Sequence, residues 1–309
     1  MKMTESGGVS GWWCDSLTPL KVIVESLRIM AWNKVMFASI MVLTTLPLST
    51  LLISQSIYTH PLTSQIQHLE ALARFTSTRF ESRHVWQESR HEALSLLRIK
   101  ALFSLPSYLL SLAAALAAVH STLLSLHTTP SLHSAAAAFR LHSARLLATT
   151  IFVYAILFAF SPLPRFLAFL SPSPATRLLL LASASALEVY LMAVMSVALV
   201  VSVAEERFGW DAIRVGSALM EGSRVRGWVL SGLFVLGSSL IGSKLEHLMD
   251  GQDSIAVKDK AGLIVSYGLL VLWSYVVITV FYCDCRKRHP IREPQPDDDD
   301  HPQQQLSVI

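Results

Sequence analysis

The sequence predicts an all-α fold: a polytopic helical membrane protein with about six transmembrane helices plus interfacial amphipathic helices. Three observations predict it. Of the 309 residues 52% are apolar and 15% charged, with a mean hydropathy of +0.47. A water-soluble domain carries about 25% charged residues, so this chain has too little polar surface to face water all round. Apolar runs of roughly 20 residues, the length that crosses a bilayer as a helix, recur along the chain. Between Leu191 and Trp228 one such run stops at Glu205-Glu206, an amphipathic stretch closes at Gly222, and a new run begins at Trp228. That order reads as a span, an interfacial helix and a re-entry.

One helical membrane domain, 18–285, is expected between polar tails 1–17 and 286–309. Proline and Asp297–Asp300 mark the second tail as disordered. No basic start precedes a short apolar core, so no cleaved signal peptide is expected. Thr18-Pro19 reads as an N-cap with proline at the first helical position. Beyond it Leu20, Ile23, Val24, Leu27 and Ala31 share one face, and Lys21, Glu25 and Arg28 another, the pattern of a helix lying in the membrane interface.

The first span, 35–57, should kink at Pro47, which has no N–H for the carbonyl four residues back. In the polar interval 58–98, Pro61 is expected to start one or two separate interfacial or soluble helices, with Glu70 and Arg74 as a helical ion pair. The second span is 101–126, with Pro106 near its start. A short helix carrying Arg140 and Arg145 should follow, then a third span, 147–170, read as one span kinked at Pro162 and Pro164, the alternative being a short span to Phe160 followed by a re-entrant or interfacial turn. Ser171-Pro172-Ser173-Pro174 links it to the fourth span, 178–204, which is long enough to tilt or protrude.

On the interfacial stretch, Phe208, Ala212, Val215 and Leu219 should face inward, and Asp211, Arg214, Ser217 and Glu221 outward. Gly222 suits the left-handed position after its last turn. The fifth span, 228–248, carries Gly232, Gly237 and Gly242 for close helix packing. The sixth is 261–283, and Arg286-Lys287-Arg288 directly after it place both termini in the cytosol by the positive-inside rule.

Two stretches resemble a family of uncharacterised plant polytopic membrane proteins. They are Glu25-Ser26-Leu27 with Asn33-Lys34 and Leu46-Pro47-Leu48, and Val201-Ser202-Val203 followed by Glu205, Gly209, Ala212, Ser217, Leu219 and Gly222. That family is distantly similar to the membrane domain fused to some bacterial glycerophosphodiester phosphodiesterases. The resemblance implies a six-span membrane protein. It supplies no catalytic residues, and no region of this chain is left over for the bacterial catalytic domain.

Several function classes find no support in the residues. No phosphate-binding loop, nucleophile elbow or H-E-x-x-H motif occurs. No basic block of the kind that tracks nucleic acid is present. The eleven histidines form no i, i+4 pair with each other, and Cys14, Cys283 and Cys285 have no metal spacing. We therefore expect no cofactor, no metal and no catalytic residue.

Glu188 stands inside an apolar run, where a carboxylate is costly unless paired or protonated. Arg177 or Arg165 would pair with it structurally; the alternative is a coupling group of a small transporter or channel. Glu205, with Gly209, Ser217 and Gly222, marks a helix-turn motif, and Glu205 is expected to accept backbone N–H groups of the next helix. Glu205→Ala should then disturb the turn more than Glu206→Ala. Cys283 and Cys285 are candidate lipidation sites at the interface. The expected activity is non-enzymatic: a protein of endomembranes or plasma membrane that organises lipids or partner membrane proteins; a lipid-metabolic membrane enzyme, the third alternative, lacks a catalytic cluster in the sequence.

Overall fold

Some prolines mark helix boundaries and others lie inside helices. The computed structural model describes residues 18–75, 79–125, 132–160, 162, 166, 173–205, 207–250 and 257–288, and among these every regular element is helical. Helix α1 is Thr18–Trp32 and α2 is Lys34–Ile40. Five residues of π-helix, Met41–Thr45, then lead into α3, Leu46–Phe75.

The kink expected at Pro47 takes the form of that π turn. Proline leaves the Leu43 carbonyl without its usual donor, and the chain widens just before the ring. The Leu46 N–H bonds the Met41 carbonyl five residues back. The Thr44 and Thr45 hydroxyls donate to the carbonyls of Ile40 (2.8 Å) and Met41 (2.9 Å).

The polar interval after the first span differs from expectation. Pro61 does not start a helix; it lies inside α3, which continues to Phe75. Helix α4 then runs unbroken from Arg79 to Ser125, 47 residues, through Pro106. At about 1.5 Å per residue it is roughly 70 Å long, about twice the thickness of a bilayer's hydrocarbon core. The two helices lie side by side, with Tyr58 stacked on Phe103 at 6.0 Å. A proline inside a helix costs about 3 kcal/mol in isolation. Pairing along a second long helix offsets it. The Glu70 and Arg74 side chains lie outside those described.

Helix α5, Leu132–Phe160, likewise absorbs the short helix expected before the third span; the Arg140 and Arg145 side chains lie outside the described set. Its apolar part, Leu146–Phe160, is shorter than a usual span and stops at Ser161-Pro162. Pro164, and the expected continuation to residue 170 except Phe166, lie outside the described residues.

Helix α6, Pro174–Ala204, starts as its sequence dictates: Ser173 caps it, accepting the Thr176 N–H at 3.2 Å, with Pro174 next in line. We predict that Ser173→Ala lowers stability by about 1 kcal/mol, read as a lower thermal midpoint in detergent. An unchanged midpoint would show that water or headgroups cap this end instead.

Helix α7 is Trp210–Leu219, α8 is Arg224–Asp250 and α9 is Val257–Arg288. The last two run antiparallel, with Gly227 against Phe281, Gly237 against Leu270, and Leu245 beside Leu263. Close approach at a glycine holds for Gly237, where a Cβ would sit 3.1 Å from Leu270, but not for Gly242, which meets nothing.

The main core gathers Leu116, Val197, Val201, Leu230, Leu272, Val276, Val277 and Phe281. Among the described residues five helices are long and apolar enough to cross a membrane: Lys34–Ile66, Arg90–Ser125, Pro174–Ala204, Arg224–Met249 and Lys258–Arg288. The sixth expected span is the shorter Leu146–Phe160.

Candidate functional site

The chemistry of this chain collects where α6, α7 and α8 meet the last turn of α9. Helix α9 carries Tyr282 and Arg286 four apart, and Asp284 and Arg288 four apart, so each pair rises from one side of the helix. The Tyr282 hydroxyl donates to Glu205 Oε1 at 2.7 Å. The Arg286 guanidinium stands 3.1 Å from Glu205 Oε2, off the hydrogen-bond axis, so that contact is Coulombic. The Glu205 side chain is 9% exposed and Arg286 24%, so both are largely removed from solvent.

A second knot lies beside the first. Arg226, buried on the first turn of α8, donates to Asp284 Oδ2 at 3.1 Å, and Arg288 reaches the same oxygen at 3.0 Å. The Ser223 hydroxyl and the Cys285 thiol are 3.2 Å apart. Both knots tie the end of α9 to the two sides of α7, one at the end of α6 and one at the start of α8.

Helix α7 is held as a strap across α6. It starts at Gly209, whose φ of +63° favours glycine, and the Gly209 N–H donates to Thr149 Oγ1 of α5 at 2.9 Å. Gly216 lies directly on the α6 backbone at Ala198. The strap ends at a turn in which the Ser223 N–H bonds the Met220 carbonyl at 3.0 Å and Gly222 takes φ +82°. Gly222 is left-handed as expected, but it stands one residue beyond the expected position, because the helix caps at Met220 and Glu221 comes first. Asp211, Arg214, Ser217 and Glu221 face out as expected, with Arg207 paired to Asp211 at 3.4 Å and Arg224 to Glu221 at 3.6 Å.

Four expectations need correction. Glu205 does not cap α7, whose N-cap Gly209 has no side-chain bond; it turns instead to the cation and hydroxyl that α9 presents. Phe208 is 61% exposed because it precedes α7, where helical spacing does not yet apply. Cys285 is 1% exposed, so it is not an open lipidation site; Cys283 is half-buried against the core. Arg177 is exposed and does not pair with Glu188, since eleven residues of helix separate them by about 16 Å.

Arg165 lies outside the described residues. Glu188 is half-buried on α6 and has no ion pair among the described residues. Two residues before it, the Ala186 carbonyl accepts the Trp228 indole N–H at 2.9 Å, which places this stretch beside the first turns of α8. No group of His, Cys, Asp and Glu able to hold a metal occurs among the described residues.

Sequence reasoning missed Tyr282, Arg226, Asp284, Ser223 and Thr149. The i, i+4 pairs Tyr282–Arg286 and Asp284–Arg288 were there to be found; Arg226 and Thr149 gave no local sign.

Over residues 14–293 the chain matches the family described as a domain of unknown function (DUF8558), and it belongs to that family. No curated protein and no solved structure matches it.

Proposed function

We propose that this chain is a multi-pass integral membrane protein, non-enzymatic, that organises lipids or partner membrane proteins through its interfacial helices. The observation that carries the reading is the three-sided exposure of α1. Val22, Ser26 and Ile29 are buried against the bundle, and the Ser26 hydroxyl accepts the Trp273 indole N–H at 3.1 Å. On the opposite face Leu20, Val24 and Leu27 are 60%, 57% and 48% exposed. Lys21, Glu25 and Arg28 form a charged side between them, with Arg28 over the Trp32 ring at 4.5 Å. Protein, hydrocarbon and water would each receive one side, as an interfacial helix requires. Val35, Leu102, Phe158 and Leu178, all at least 70% exposed, add apolar surface that water would not tolerate in such quantity.

Spin labels test this. In a background with the three cysteines replaced by serine, a nitroxide at Leu27→Cys should meet oxygen more readily than a water-soluble nickel chelate. At Glu25→Cys the order should reverse. Equal access of the chelate to both positions would refute the interfacial placement. Release of the protein from vesicles by alkaline carbonate would refute the integral one.

The likeness to the membrane domain of bacterial glycerophosphodiester phosphodiesterases belongs to the same proposal, as a source of membrane architecture and not of catalysis. We keep both termini cytosolic on the strength of Arg286–Arg288. A transport reading is favoured by one observation, the half-buried Glu188, which has no ion pair among the described residues. Flux into liposomes that depends on pH in the wild type and is lost in Glu188→Ala would replace the scaffold reading.

A further inference from the structure

Among the described residues, the knot around Asp284 carries more positive than negative charge. Among the described residues Arg226 and Arg288 meet Asp284 and Arg286 meets Glu205, while Lys287 stands on the same last turn of α9 with no carboxylate partner among them. Glu205 is used by Arg286. Asp284 is then shared by two guanidiniums on one oxygen, Oδ2, at 3.1 Å and 3.0 Å. One of these, Arg226, has a side chain only 7% exposed, so its share of charge is not handed to water. A buried cation without a full counter-charge is costly. The partial negative charge at the C-terminal end of α9, about half a unit, offsets only part of the excess.

The surroundings say what kind of anion would complete it. Lys287 and Arg288, on the last turn of α9, are exposed, and Arg288 reaches Asp284 from there. In the two turns of α8 that carry Arg226, Val225, Trp228 and Val229 are 74%, 42% and 43% exposed. Cations beside an outward apolar wall match an amphiphile with a phosphate head and a hydrocarbon body. We propose, on the reading that the chain is embedded in a membrane, that the α8–α9 knot binds an anionic glycerophospholipid. Its headgroup phosphate lies against Lys287 and Arg288, with Arg226 behind, and its acyl chain runs along Val225 and Val229.

The test uses the full chain in nanodiscs of phosphatidylcholine with or without phosphatidic acid, reading retained lipid by native mass spectrometry and the thermal midpoint. Wild type should retain phosphatidic acid and unfold at higher temperature with it. Lys287→Gln and the double variant Lys287→Gln/Arg288→Gln should lose retention by roughly fivefold for each basic residue removed. The double variant Arg207→Gln/Arg214→Gln, which removes equal charge from the strap, should retain it like wild type. The single Lys287→Gln change leaves the Arg288–Asp284 pair in place, so a loss there is not a loss of fold.

Equal losses in the two double variants, or none in either, would overturn the proposal. So would an equal rise in midpoint from inorganic phosphate in phosphatidylcholine alone, which would make the site one for free anions. Failure of the membrane reading would show differently, as a chain that leaves vesicles in carbonate.

Discussion

Glu205→Ala is expected to destabilise the protein by about 3–5 kcal/mol, the cost of leaving a buried charge without its partner. The carboxylate removed is 9% exposed and holds two groups at once: the Tyr282 hydroxyl at 2.7 Å and the Arg286 guanidinium at 3.1 Å. Alanine would strand both on α9 and free the end of α6, where the Glu205 N–H still closes the last turn on the Val201 carbonyl. Glu205→Gln should fall between, because its amide oxygen can accept from Tyr282 while the attraction for Arg286 is lost. Glu206→Ala should cost less than Glu205→Ala. The measurement is unfolding in detergent, followed by intrinsic fluorescence, for Glu205→Ala, Arg286→Ala and the pair together. A coupling of about 1–3 kcal/mol between the two sites is expected. Strict additivity, or equal tolerance of Glu205→Ala and Glu206→Ala, would show that the knot does not hold the strap.

The sequence singled out the same residue for a different reason, a cap on the next helix, and the structure gives it other partners. Glu205 stood out because an apolar run ends on it, and that much is local. Its partners are 77 and 81 positions away, and no periodicity points from one to the other. The apolar stripe of α1 was legible for the same local reason, and the structure adds only that this stripe faces away from the protein. Pro47 announced a break, although not that the break would be a π turn.

What stayed hidden is where apolar composition stops tracking helix length. Residues 58–98 turn polar, and hydropathy reads that as a loop with separate helices. The backbone reads it differently, because helix formers such as Leu69, Glu70, Ala71 and Ala73 let α3 continue once α4 lies alongside. Pairing of two helices is a tertiary fact, and it outweighs a single proline.

The strap supplies the second large effect: Gly216→Val should cost about 3 kcal/mol or more, at or above the upper end for overpacking. A Cβ at Gly216 would lie 3.0 Å from the Ala198 nitrogen and 3.1 Å from its Cα. These are backbone atoms of a helix and cannot rotate aside, so α7 must lift. It has nowhere to slide, since the Gly209 N–H is bonded to Thr149 at one end and Met220 is buried against the core at the other. Gly232→Ala is the matched control, because a Cβ there meets only Val189 Cγ1 at 3.8 Å, an ordinary contact. On helix propensity alone that change should be neutral or stabilising by up to about 1 kcal/mol. Lifting the strap should also open the exposed Arg207 and Arg214 to trypsin, so limited proteolysis gives a second readout. If Gly216→Val matches Gly232→Ala in both midpoint and nicking rate, α7 is not packed on α6, and the knots that flank it lose their purpose as the two fastenings of one strap.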